Sequence, residues 1–167
     1  MTVFNYFPTK EDLFFGGMEF FEERLIDAVR DREAGVTALD AFRQLVLDGC
    51  ERLAAEERAT VIAKAAAVID GSPALQMRER EIVARYAEHL ADFLAAETGA
   101  AAYDVEPLSV AAALKTAHRA VVRYVRNSAA AGCRGPALAA SAHAQAVRAF
   151  SRLENGVAQY AVKSRRS

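Results

Sequence analysis

The sequence predicts an all-α fold of about six helices, and three observations carry the prediction. Apolar residues recur at spacings of three and four along the chain, and no stretch sustains the period-two alternation that a strand needs. Caps of Thr or Ser, prolines at first helical positions and glycines at the far ends divide the 167 residues into segments of helical length. The apolar share of 53% owes much to alanine, which favours close helix packing over a sheet of β-branched side chains.

Each element follows from local signals. Thr9-Lys10-Glu11-Asp12 sets a hydroxyl three residues before a carboxylate and opens a helix to about Asp31, with Phe14, Met18, Phe21, Leu25 and Ala28 on one face. Gly35 breaks the pattern. Thr37-Ala38-Leu39-Asp40 repeats the cap and starts a second helix that aligns Leu39, Phe42, Val46, Cys50 and Leu53, and a shorter one runs from about Glu57 to Ile69. Asp70-Gly71-Ser72-Pro73 is a turn that caps a long helix carrying Leu75, Ile82, Tyr86, Leu90 and Phe93 and ending at Gly99. Asp104-Val105-Glu106-Pro107 begins the next, which Gly132 stops. Gly135-Pro136 opens a last helix expected to reach about Tyr160, ahead of a basic, frayed tail at 163–167.

Composition narrows the function classes. The 21 Lys and Arg nearly cancel the 22 Asp and Glu, so no positive field covers the whole molecule and a whole-surface nucleic-acid binder is not expected. No apolar run approaches the roughly 20 residues that span a bilayer, and the N-terminus does not read as a signal peptide. Cys50 and Cys133 stand far apart without metal-ligand spacing. A cytoplasmic protein without metal or cofactor is expected. Catalysis is not: a di-iron bundle needs Glu-x-x-His pairs, whereas Tyr86, Lys115 and Ala140 precede His89, His118 and His143 by three, and no phosphate loop or nucleophile elbow is present.

The most informative segment is Thr2-Val3-Phe4-Asn5-Tyr6-Phe7-Pro8-Thr9-Lys10-Glu11-Asp12-Leu13. It resembles, at essentially every position, the stretch of bacterial TetR-family regulators that joins the DNA-recognition helix to the next helix. The rest of the chain is similar to that family in architecture. The resemblance implies a body that senses a small molecule and dimerises, in a transcription regulator acting as a repressor. It divides the chain into a remnant of the recognition helix at 1–8, a connecting helix at 9–32 and a ligand-binding and dimerisation domain at 33–162.

In such docking the second helix enters the major groove and flanking polar groups hold phosphates. Thr2 and Asn5 would then face the groove, Tyr6 would donate to a phosphate, and Lys10 would sit at a helix N-terminus that favours one. An ordinary aromatic plug of Phe4, Tyr6 and Phe7 under the first long helix is the plainer alternative. The family places about three helical segments before this point, and the sequence begins at Met1. An isolated turn of this length has no cooperative reason to stay helical. Operator DNA is therefore expected as a partner only where the preceding region is present.

Lining residues for a small apolar or amphipathic effector are expected at Phe42, Val46, Cys50, Ile62, Tyr86, His89, Phe93, Leu114, His118 and Val122, small residues around aromatics leaving room among the helices. Plain core packing would use the same apolar positions. Lys115, Arg119, Arg123 and Arg126 form a basic stripe, a solvated face or an anion-holding rim centred on Arg119 and Arg123. A homodimeric four-helix bundle is expected from the last two helices through Val110, Ala117, Val121, Tyr124, Leu138, Ala142, Ala149, Leu153 and Val157. These stripes also suit each helix's own core. A helical ligand-binding or scaffold protein that does not bind DNA is the alternative function.

Overall fold

The computed structural model describes residues 10–157, and these are helical throughout their regular structure. The helices are α1 (Lys10–Arg30), α2 (Ala38–Glu51), α3 (Glu56–Asp70), α4 (Pro73–Thr98), α5 (Glu106–Ala130), α6 (Gly135–Ser151) and a single turn, α7 (Glu154–Val157). A 3-10 turn at Arg52–Ala54 joins α2 to α3. Six long helices without a strand are what the periodicity predicts.

The caps act where the sequence places them. The Thr37 hydroxyl accepts from the Asp40 amide at 3.0 Å and donates to the Asp40 carboxylate at 2.7 Å, closing the orphan first turn of α2. Ser72 accepts from the Leu75 amide at 3.4 Å with Pro73 in the first turn of α4. Gly99 ends α4 in the left-handed region at φ 65°, a conformation that a side chain would strain. Asp104 accepts from the Glu106 amide at 2.9 Å where α5 begins.

The last element departs from expectation. Instead of running on to Tyr160, α6 stops at Ser151, and the chain tightens into turns in which the Leu153 amide donates to the Phe150 carbonyl and the Gly156 amide to the Leu153 carbonyl, both at 2.9 Å. The break falls at Arg152 and Leu153, and the single turn of α7 then runs through Asn155 and Gly156, both weak helix formers. Glu154 is instead tied back to Arg43 of α2 at 2.6 Å.

One hydrophobic core runs through the bundle. α5 packs against α4, α6 and α3, while α2 packs against α6 and α1, and α1 also leans on α4. Phe15, Leu25 and Val29 of α1, Phe42 of α2, Ile82, Leu90 and Leu94 of α4, Leu114 of α5 and Leu138 and Phe150 of α6 are enclosed almost completely. The connecting helix thus shares its core with the body, and a change at its centre is felt by α2, α4 and α5 together.

Candidate effector site

The interior of a helical bundle should hold few ionisable groups, because burying a charge is costly unless it is paired. Three sit together at the meeting of α1 and α5: Glu22, Lys115 and His118, none more than 6% exposed. The Lys115 ammonium donates to Glu22 Oε2. The other carboxylate oxygen, Oε1, stands 4.0 Å from His118 Nδ1, beyond hydrogen-bond reach. His118 Nδ1 is buried and without a hydrogen-bond partner.

The surroundings are aromatic. The Phe21 ring lies 5.5 Å from the His118 ring, Phe42 meets it edge-on at 6.2 Å, and Phe42 continues to Phe150 at 6.0 Å. This apolar wall sets the protonation states. Burial, with the Lys115 charge beside it, pushes His118 down to about 3, so its imidazole is neutral near neutral pH. Burial, with Arg119 one turn away, brings Lys115 down to about 7. The buried ion pair beside a neutral imidazole with an unused nitrogen forms a polar spot inside an apolar wall.

Around it α1 is fastened through its acidic face. Glu19 accepts from Arg85 at 2.5 Å and Glu23 accepts from the Tyr86 hydroxyl at 3.1 Å, both partners lying on α4. Burial and the Glu23 contact raise the Tyr86 phenol above its ordinary range. At the end of α1, the buried Arg32 guanidinium donates to the Val29 carbonyl, to the Val36 carbonyl at 3.0 Å and to Glu97 at 2.7 Å.

The structure brings only some of the expected lining residues together. Phe42 and His118 meet at the polar cluster, and Val46, Cys50 and Leu114 are buried in the same core. Burial above all, and then the Glu51 charge, raise the Cys50 thiol to about 11, and both it and Cys133 are free. Tyr86 is buried, with its hydroxyl turned to Glu23. Ile62, Phe93 and Val122 are half-buried, and His89 lies on the exposed side of α4 with its ring 5.7 Å from that of Tyr86. Two clefts, of about 460 and 440 Å³, open on the outside. One lies between the end of α1 and α2, beside Arg32, Asp40 and Arg43, and the other along α6 at Gln145 and Arg148.

The basic stripe on α5 does not exist as one face. Lys115 turns inward to Glu22, Arg126 pairs with Glu79 of α4 at 2.5 Å, and Arg119 and Arg123 are the exposed pair. Each step of four residues turns about 40° around the helix and carries Arg119 and Arg123 outward, while the final step of three brings Arg126 back to within about 20° of Lys115. Of the residues expected at the dimer interface, Val110, Val121, Leu138 and Ala142 are buried in their own protomer, while Ala117, Tyr124, Ala149 and Leu153 are half-buried at its edge. Thr2, Asn5 and Tyr6 lie outside the described residues, as do the side chains of Lys10 and Val157.

Sequence reasoning missed Glu22 and misjudged Lys115, though both carry a signal. Glu22 falls four residues after Met18 and three before Leu25, inside the apolar stripe of α1, and Lys115 falls four after Ala111 and three before His118.

A family model described as the MftR C-terminal domain, a TetR-type C-terminal domain, matches residues 36–157. The chain belongs to this TetR-type family. No curated protein and no solved structure matches it significantly. The match covers α2 to α6, which carry Phe42, Lys115 and His118 but not Glu22 or Phe21 of α1, and the chain is a transcription regulator of TetR type. No helix among the described residues is long and apolar enough to cross a membrane.

Proposed function

We propose that the helical body senses a small apolar or amphipathic molecule for a TetR-type repressor, and that the ligand reaches the Glu22, Lys115 and His118 cluster. The buried ion pair beside an unpartnered imidazole is the observation that carries this reading. Such groups cost stability, a cost that a role in recognition or switching accounts for, and an aromatic wall around a few convergent polar groups suits a ligand of that kind. Phe42, Val46, Leu114 and His118 are the lining residues in this reading. Val122, Ile62, Tyr86 and Phe93 stand at its margin, and Arg119 and Arg123 form an outer, anion-holding rim. Operator contact through Thr2, Asn5, Tyr6 and Lys10 belongs to a complete helix-turn-helix.

Dimerisation belongs to the same reading. The exposed sides of α5 and α6 carry Ala112, Thr116 and Ala120, and Ala140, Ala144 and Val147. Small side chains in register let helix backbones approach closely, and a second copy would continue the α5–α6 pair into a four-helix bundle.

A thermal-unfolding screen of small apolar and amphipathic molecules tests the sensing. A ligand at a hundred times its Kd adds about 2.7 kcal/mol, which raises Tm by roughly 5–10 °C for a protein of this size. The stabilisation should weaken in His118→Phe, which removes the unpartnered imidazole nitrogen. Finding no stabilising compound across a broad library would count against a sensor and favour a scaffold.

A further inference from the structure

We propose that the Glu22 carboxylate is an internal occupant of an anion site, and that the effector is a small apolar monocarboxylic acid whose own carboxylate replaces it against Lys115 and His118. This rests on the sensing role proposed above and names the ligand class.

The argument is one of unequal satisfaction. Glu22 reaches Lys115 with one oxygen, but its other oxygen stops 4.0 Å short of His118 Nδ1, which is left without a partner. As packed, Glu22 engages Lys115 and leaves that gap open. A free carboxylate is not so constrained, and it can accept from Lys115 and from a neutral His118 protonated at Nδ1, making a hydrogen bond that the fold leaves unmade. Leaving that nitrogen unpaired costs free energy, and the incoming acid recovers it.

The charges choose the ligand. A cation would meet Lys115, and an anion added beside Glu22 would bury two like charges, so the favourable event is exchange of one carboxylate for another. The rings of Phe21, Phe42 and Phe150 call for an apolar and preferably aromatic body behind the acid. Exchange also has a structural consequence. Glu22 belongs to α1, while Lys115 and His118 belong to α5, so the incoming acid cuts the buried tie between these helices. The Glu19–Arg85 and Glu23–Tyr86 contacts between α1 and α4 then remain.

The test is calorimetric titration of the full chain with 4-phenylbutyrate and, as its neutral counterpart, 4-phenylbutan-1-ol. Wild type, Glu22→Gln and Lys115→Met are each checked for folding by circular dichroism. The wild type should bind the acid more tightly than the alcohol. Glu22→Gln, in which the internal competitor has lost its charge, should bind the acid at least tenfold more tightly, and Lys115→Met should lose the preference for the acid over the alcohol. Should Lys115→Met fail to fold, the comparison of wild type with Glu22→Gln decides alone. Equal or weaker acid binding by folded Glu22→Gln overturns the proposal, as does equal binding of acid and alcohol by the wild type. Alcohol binding without acid binding overturns it and leaves the sensing role intact. Binding of neither probe also overturns it, and the sensing role then stands or falls with the wider screen.

Discussion

Replacing Lys115 by Met should be among the most damaging single changes in this protein. Both members of the Lys115–Glu22 pair have side chains only 4% exposed. Met keeps the length of the lysine stem and removes the charge, so Glu22 is left as a buried carboxylate with no cation. Breaking a buried pair from one side costs about 3–5 kcal/mol, against about 0–1 kcal/mol for a pair on the surface. At roughly 2–4 °C per kcal/mol for a domain of this size, Tm should fall by about 6–20 °C. The double variant Glu22→Leu/Lys115→Met removes both charges and puts apolar groups of similar volume in their place. It should return to within about 1 kcal/mol of the wild type, or exceed it. Urea unfolding followed by circular dichroism measures all three, with Glu22→Leu closing the cycle. A loss below about 1 kcal/mol for Lys115→Met would refute the reasoning. So would a double variant no more stable than its worse parent.

Other outcomes follow from the same geometry. His118 titrates at about 3 when folded, against an ordinary value of 6.5, so the unfolded chain takes up a proton that the folded chain refuses. Its contribution is unchanged above pH 6.5, and stability is lost as pH falls from there toward 3, at up to about 1.4 kcal/mol per unit. His118→Phe should flatten that slope relative to wild type in a series of Tm measurements against pH, with Glu22 and Lys115 still facing the site. Ala144→Arg, on the exposed side of α6, should turn a dimer into a monomer by sedimentation at micromolar concentration while leaving Tm at low concentration within a few degrees. A wild-type chain that sediments only as monomer would remove the dimer altogether. Cys50, with its thiol raised to about 11 and buried, should resist iodoacetamide at neutral pH while the half-buried Cys133 is labelled. Equal labelling of both by mass spectrometry would contradict the packing of α2.

What the sequence determined by itself was local. The caps at Thr37 and Ser72 and the left-handed stop at Gly99 act within three or four residues, so their chemistry is readable in the chain, and helical periodicity placed Phe42, Val46 and Leu114 inward. The TetR-type family was legible in the first dozen residues, and a match over residues 36–157, a different part of the chain, bears it out. Tertiary structure decided the rest. Glu22 and Lys115 are 93 residues apart, and although each falls on an apolar stripe of its own helix, neither stripe points to the other as its partner. Only the gathering of α1, α4 and α5 around one core encloses both, because a charge tolerates burial just where the fold supplies its counter-charge. The same packing turned His118 inward and His89 outward, although both flank apolar stripes. Periodicity says which side of a helix is covered, but the neighbouring helix decides which polar group at its margin loses water and acquires a function.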